Sequence, residues 1–444
     1  MKKINFFKEK RIFQKDEKVV CADLFSIRNM QLDENLLNCF LKLGYIPGHH
    51  TLFKGVKCLG LEGRVEKLST TLDSIPYLDH DFNTLKDILI RAVESFFNGS
   101  LTHVVPLSGG MDSRIILAAL CELTSASNIH TYTFGVPGAY DYEIPNRIAG
   151  ALGTKHINFS AHDTKYSIEG LIRAAKASDG NTEVFHPLVL NRVVDYYGPN
   201  SIYWSGFAGD LVGGGFGDKS SIGNNPKQNL IDYEKRGIHF LDDVISDEAL
   251  FPYISSGEKM TDYVSANEAC FWENHVERYT GHHIFRNDMV IQAPLIDVNF
   301  LKFFFTLSNS QREKKKFFNK AFSSLFPGAF LFPTKDYGYQ YSKYRFLQAL
   351  HTAKFYISAA GWRLAPSFFT HPNSAYIDMS HAINERSDVK SCVDELISDL
   401  SQRNIIDNDR MFFFLKEHRG RKKNYAKDII NLASLEVILK AAEQ

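Results

Sequence analysis

Apolar residues recur along this chain with two different periods, and the switch between them gives the first expectation about the fold. From Phe82 to Phe97 they fall at Leu85, Ile88, Leu89, Ala92, Val93, Phe96 and Phe97. That is the spacing of one helical face, and Asn98-Gly99 supplies a stop. Beyond it, short strand-like runs alternate with helical segments. His103–Leu107, His130–Phe134, Lys155–Phe159 and Ser201–Ser205 read as strands, and Ser113–Cys121, Tyr142–Leu152 and Tyr166–Ala177 as helices. Such alternation predicts an α/β fold with a doubly wound, mainly parallel sheet. The ligand site of such a sheet lies at the carboxyl ends of its strands. Residues 1–40 show neither period. Leu43–Val56 is turn-rich around Pro47-Gly48, Gly213–Asn225 is rich in Gly, Ser and Asn and reads as a loop, and from about Leu230 onward the pattern is mostly helical.

Composition narrows the classes of function. A length of 444 residues suits two or three domains. Lys and Arg number 51 and Asp and Glu number 51, a formal net charge of zero. That balance gives no electrostatic reason to expect a nucleic-acid or anionic-membrane binder. There is no long apolar run of transmembrane length. The start turns charged (Lys2, Lys3, Lys8) before any apolar signal core develops. Cysteines at 21, 39, 58, 121, 270 and 392 form no Cys-x-x-Cys pair, which excludes a zinc ribbon or thioredoxin-type motif and suits reduced thiols in a cytoplasm. His49-His50 and His282-His283 are adjacent pairs and lack the i, i+4 spacing of a helical metal site. The basic run from Lys416 to Lys423 is expected to be a solvated loop between two C-terminal helices, and the Phe300–Phe305 stretch to be core.

The sharpest chemical feature is Val104-Val105-Pro106-Leu107-Ser108-Gly109-Gly110-Met111-Asp112-Ser113-Arg114, a strand, a Gly-rich turn and a helix. Two glycines let backbone N–H groups approach phosphate oxygens. The hydroxyls of Ser108 and Ser113 can add donors, and the following helix points the positive end of its dipole at the same anion. Asp112, a carboxylate in an anion site, makes chemical sense as a ligand of Mg²⁺. The loop lacks the Gly-Lys-Ser/Thr of a Walker A motif, and Gly217-Asp218-Lys219-Ser220 fails its spacing.

The Ser-Gly-Gly-x-Asp-Ser loop resembles the pyrophosphate loop of ATP pyrophosphatases, and further matches resemble the asparagine synthetase family. These are Gly44-Tyr45-Ile46-Pro47-Gly48 with Thr51–Gly55, Thr133-Phe134-Gly135, and Asp141 followed by Leu152-Gly153-Thr154 and His156. Ser205-Gly206-Phe207-Ala208-Gly209-Asp210, Ala293-Pro294-Leu295-Ile296-Asp297 and Pro333-Thr334-Lys335 follow in the family's order. The resemblance runs from about residue 30 to about 345. It implies an N-terminal extension over 1–80, a synthetase domain over 81–345 and a helical C-terminal region over 346–444. It also implies an ATP site made by Leu107, Ser108, Gly109, Gly110, Asp112, Ser113, Phe134, Gly135 and Gly206. Asp112 and Asp210 would hold Mg²⁺, and Lys335 with Asp112 would act in catalysis. Asp297 is expected to be structural.

The implied reaction is activation of a small-molecule or peptide carboxylate as an acyl-adenylate, followed by transfer to ammonia or an amine. Departures fall on the acceptor side. Phe207 stands where asparagine synthetases have Glu and β-lactam synthetases have Tyr, Leu211 replaces a Glu, and Gln292 replaces an Arg. A phenyl ring can neither take a proton nor accept a hydrogen bond from an amine. Lys2 follows Met1 where the family's glutaminase has its nucleophilic Cys, and only about forty residues precede Gly44. Ammonia is therefore expected from elsewhere, for instance from a separate glutaminase. Two rivals differ in class. A tRNA-modifying pyrophosphatase would want a basic face and a catalytic Cys pair. A nucleotide-binding relic would explain Phe207 and Leu211 but not the intact loop.

Overall fold

In a computed structural model of the protein, residues 11–16, 19–59, 64–215, 225–257, 262–364, 370–374 and 376–444 are described. Residues 216–224, most of the expected Gly/Ser/Asn loop, lie outside them, as does the Gly217–Ser220 run.

The chain opens with strands β1 (Ile12–Lys15), β2 (Val19–Cys21) and β3 (Val56–Leu59), an antiparallel sheet in the order β2-β1-β3. The sequence showed no pattern here because strands of three and four residues are too short to display alternation. The second sheet is wholly parallel: β4 (Thr102–Pro106), β5 (Ile129–Gly135), β6 (Lys155–Ser160), β7 (Ser201–Trp204) and β8 (Val290–Gln292), in the order β6-β5-β4-β7-β8. The α/β doubly wound expectation holds, with β8 as an addition. That strand is only three residues long and pairs Tyr203 with Ile291 and Trp204 with Gln292.

β4 sits in the middle, with β5 and β6 added on one side and β7 and β8 on the other. The winding direction therefore reverses between β4 and β7. A crevice opens at such a switch point, beyond the carboxyl ends of the two strands.

One face of the sheet is covered by the Phe82–Glu94, Asp112–Cys121 and Val298–Phe305 helices. Phe300, Phe303 and Phe304 are fully buried in this core, as the sequence suggested. On the other face Val104, Tyr132 and Tyr203 pack against Val189 and Val193 of the Val189–Tyr197 helix. A separate large core joins the N-terminal segment to the C-terminal helices. At its centre lies the Ala426–Glu443 helix, buried on nearly every side. A helix with so broad an apolar surface belongs inside a protein, and two of its buried acids have partners. Asp428 accepts from the His239 and Phe240 N–H groups, and Glu436 pairs with Arg403.

The basic run at 416–423 differs from expectation. Lys416, His418 and Arg419 form the last turn of the Asn408–Arg419 helix, and His418 is buried, so only the remainder is loop. Among the described residues no helix is long and apolar enough to cross a membrane.

Asp297 caps the Val298–Phe305 helix, accepting from the Asn299 N–H at 2.9 Å and the Phe300 N–H at 3.4 Å. Its role is structural, as expected. Asp297→Ala should therefore cost about 1 kcal/mol of stability, read by urea denaturation, with nucleotide affinity unchanged.

Candidate active site

The residues singled out in the sequence converge on the crevice between β4 and β7. After Pro106 the chain turns through Ser108, Gly109 and Gly110 into the Asp112–Cys121 helix. The turn is held by its own hydroxyls: Ser113 Oγ accepts from the Ser108 N–H at 3.1 Å, and Ser108 Oγ accepts from the Gly110 N–H at 3.2 Å. Helices starting at Glu34, Phe82, Ile168 and Val298 each carry a side-chain cap, but this one has none. Its first-turn N–H groups are thus left to serve an anion.

Three residues tie the loop to the rest of the site. Arg114 is completely buried, and its guanidinium donates to the Gly109 carbonyl at 3.1 Å, to the Phe332 carbonyl at 3.0 Å and to the Pro333 carbonyl. Burial pulls its pKa down to about 9, which still leaves it a cation at neutral pH. Lys335 N–H donates to the Gly109 carbonyl at 2.9 Å. Asp141 completes the link, accepting from the Gly109 N–H at 2.9 Å and from Lys335 Nζ at 3.0 Å. Burial disfavours the Lys335 ammonium, but the Asp141 carboxylate outweighs it and the pKa rises. Lys335 is a firm cation beside the loop.

The second strand end supplies the other wall. The Ser205–Asp210 segment presses its glycines against Asp112. A Cβ on Gly206 would lie 2.7 Å from Asp112 Cβ, and one on Gly209 would lie 2.5 Å from Asp112 Cγ. Only glycine permits that approach. It brings Asp210 to face Asp112 across a third group absent from the sequence-based set, Lys315. Lys315 Nζ lies 2.8 Å from Asp112 Oδ1 and 2.8 Å from Asp210 Oδ1. Its side chain is 6% exposed, whereas that of Asp210 is 71% exposed.

Lys314 and Lys315 have φ of 54° and 59°, a left-handed pair that non-glycine residues rarely adopt and that costs about 1–3 kcal/mol per residue. This strained turn is what places the Lys315 ammonium. Burial pushes Asp112 up to about 6, against the pull of Lys315. Two hard anionic oxygens converging on one cationic centre fit Mg²⁺, which binds to one or two carboxylates and completes its shell with water and phosphate oxygens. No group of three or more His, Cys, Asp or Glu could hold a metal among the described residues. Asp112 and Asp210 are thus a pair of carboxylates bridged by Lys315.

Beside these charges lies a cavity of about 530 Å³ lined by Leu107, Ser108, Phe134, Asp141, Ser205 and Lys335. Its further lining is largely apolar, including Tyr132, Val189, Leu190, Tyr203, Met289 and Ile291. His186, Tyr279, Thr280, His283 and Tyr376 also line it. Glu183, which is buried, accepts from His186 Nδ1 at 2.7 Å. Burial would raise the Glu183 carboxyl, but His186 outweighs it and holds it down to about 2. Burial would lower the His186 imidazole, but Glu183 keeps it above the ordinary value.

Of the expected site residues, Leu107, Ser108 and Phe134 line the cavity, Gly109, Gly110 and Ser113 form the turn, and Gly206 abuts Asp112. Gly135 ends β5 opposite Ser160. Phe207 does not line the cavity. It is 3% exposed and packs edge-on against Phe285 at 4.9 Å, and Leu211 is likewise buried.

The chain folds as an α/β domain with its Gly-rich loop and cavity at the sheet's switch point. Residues 84–188, from the helix before β4 to the segment carrying His186, match the asparagine synthase family model. That stretch is thus similar to the asparagine synthase family, a family of ATP-dependent ligases. No curated protein matches the chain.

Gly209→Ala should displace Asp112 and weaken MgATP binding at least about tenfold, equivalent to about 1.4 kcal/mol. Isothermal titration calorimetry would read this, and an unchanged affinity would contradict the placement of Asp112 in the nucleotide site.

Proposed function

We propose that this protein is an ATP-dependent amide ligase that activates a carboxylate as its acyl-adenylate, releases pyrophosphate and transfers the acyl group to ammonia or an amine. The observation that carries this reading is the encirclement of one uncapped, Gly-rich loop by Lys335, Lys315 and the Asp112–Asp210 pair. A site for simple nucleotide binding needs the loop alone. Cations placed on two sides of it suit charge that shifts from the α-phosphate to a leaving pyrophosphate.

The residue roles follow from position. The first turn of the Asp112–Cys121 helix, which carries no side-chain cap, and the Ser108 and Ser113 hydroxyls take the leaving phosphates. Leu107 and Phe134 offer apolar surface to the base, and the backbone at Gly135 and Gly206 gives it room. Lys335, held by Asp141, faces the α-phosphate and the carboxylate that attacks it. Asp112 and Asp210 would hold Mg²⁺, which neutralises pyrophosphate charge when bound. Lys315 keeps the two carboxylates together when no metal is there. The acyl group and the amine share the cavity with the nucleotide. Its aliphatic and aromatic lining favours an acid with an apolar body over aspartate.

Asp112→Ala should lower acid-dependent ATP–pyrophosphate exchange by at least about 10²-fold. Lys335→Ala should lower it by about 10²–10³-fold while MgATP affinity changes only a few-fold. Exchange measured over aspartate, glutamate, benzoate, phenylacetate and hexanoate checks both. Full exchange in Asp112→Ala would sink the assignment.

A further inference from the structure

The position at which asparagine synthetases and β-lactam synthetases carry a proton-accepting side chain is Phe207, and its ring is buried away from the cavity. Any group that takes the amine proton must come from another part of the wall. Asp141 is committed to the Gly109 N–H and to Lys335. Burial raises the phenols of Tyr279 and Tyr376, so they remain protonated. His283 has its Nε2 engaged, against the Glu183 carbonyl at 3.3 Å and 3.7 Å from Glu183 Oε1. His186 is different. Its Nδ1 is engaged by Glu183, its ring is partly exposed to the cavity, and its Nε2 makes no hydrogen bond to a described residue. With Glu183 accepting the Nδ1 proton, the neutral ring presents its Nε2 lone pair.

The pair is firmly built. Glu183 Oε2 also accepts from the Phe185 N–H at 3.0 Å and the His186 N–H at 3.3 Å. Glu183 N–H donates to the Gly44 carbonyl at 3.2 Å, and Tyr45 pairs with Thr182. Val184 N–H donates to Ser434 Oγ of the C-terminal helix at 3.1 Å. Two distant parts of the chain thus brace one short segment that carries a carboxylate–imidazole pair into the same cavity as Ser108, Ser205 and Lys335.

We propose that His186, oriented by Glu183, is the general base of amide formation. The inference rests on the ligase reading above. The amine nitrogen attacks the acyl carbon and forms the C–N bond. Its proton passes to His186 Nε2, the bond from the acyl carbon to the phosphate oxygen breaks, and AMP leaves with the electron pair. His186 then returns the proton to solvent. Glu183 is a positioning residue. It fixes the tautomer and stabilises the imidazolium that forms.

The test separates the two half-reactions in the full chain. Using whichever acid of the panel above supports exchange, His186→Gln should leave ATP–pyrophosphate exchange within about threefold of wild type. Amide formation from ammonia should fall by about 10²-fold or more. Hydroxylamine, whose nitrogen is unprotonated at neutral pH, should still give hydroxamate at near the wild-type rate. Unchanged amide formation, or an equal fall in exchange, amide and hydroxamate, would overturn the assignment of the base. Lack of exchange by the wild-type protein with every acid would overturn the ligase reading itself, and this proposal with it.

A second variant addresses orientation. The titratable or charged groups facing His186 are Glu183 from its own segment, His283 from the Gly281–Ile284 helix, Tyr376 and Lys427. In Glu183→Gln the amide oxygen can still accept from the Phe185 N–H, but the carboxylate that raises His186 is gone. The acid limb of the amide-forming rate should move to lower pH, while the profile of exchange stays in place. An unmoved limb would count against Glu183 as the orienting group.

Discussion

The site depends on one buried guanidinium. Arg114 leaves the first turn of the loop helix and ends among three backbone carbonyls, Gly109 of the loop and Phe332 and Pro333 of a segment more than two hundred residues later. A buried cation is tolerable only when it is well compensated, and here three carbonyl dipoles meet its two terminal nitrogens. The consequence is mechanical. The anion-binding turn and the strand of chain that carries Lys335 cannot move independently, so the lysine keeps its distance from the loop without help from bound nucleotide. Asp141 repeats the connection through side chains, joining the Gly109 N–H to Lys335 Nζ.

The other half of the cavity is organised on a different principle. Where the family resemblance would place polar groups, this chain has Phe207 and Leu211, and both have been absorbed into the core beneath β7. The sheet edge there is packed with apolar side chains. Polar side chains of the cavity lie instead on the 181–186 segment, where Glu183 and His186 pair. That segment has no regular secondary structure of its own and takes its shape from neighbours: Gly44 to Ile46 on one side, Asn181 with Arg278, and Ser434 on the other. The Gly-rich loop is tied to the 332–335 segment, and the 181–186 segment to the N-terminal turn and the C-terminal helix.

Much of this was legible in the sequence, and the exceptions have physical causes. The βα alternation and the Ser108–Ser113 loop were visible because a buried parallel strand and a tight Gly turn each leave a local signature. Lys315 was not. It lies in the run Glu313-Lys314-Lys315-Lys316, which resembles any solvated stretch, and only its left-handed backbone turns one of three lysines inward. Arg114 stands in the loop motif, but its partners are set by tertiary contacts. His186 and Glu183 sit three residues apart outside any helix, with no periodicity to flag them. β1 to β3 and β8 were too short to announce themselves.

The bracing of the 181–186 segment has a consequence for how the protein is made. Ser434 belongs to a helix that emerges from the ribosome after every other described element, and that helix threads between parts already synthesised. Strands β4 to β7 come from one stretch of chain, between Thr102 and Trp204, and can pair before that helix is made. The acceptor wall cannot close until the Ala426–Glu443 helix is inserted. A nascent chain would thus hold its parallel sheet before it holds the segment that carries His186 in place.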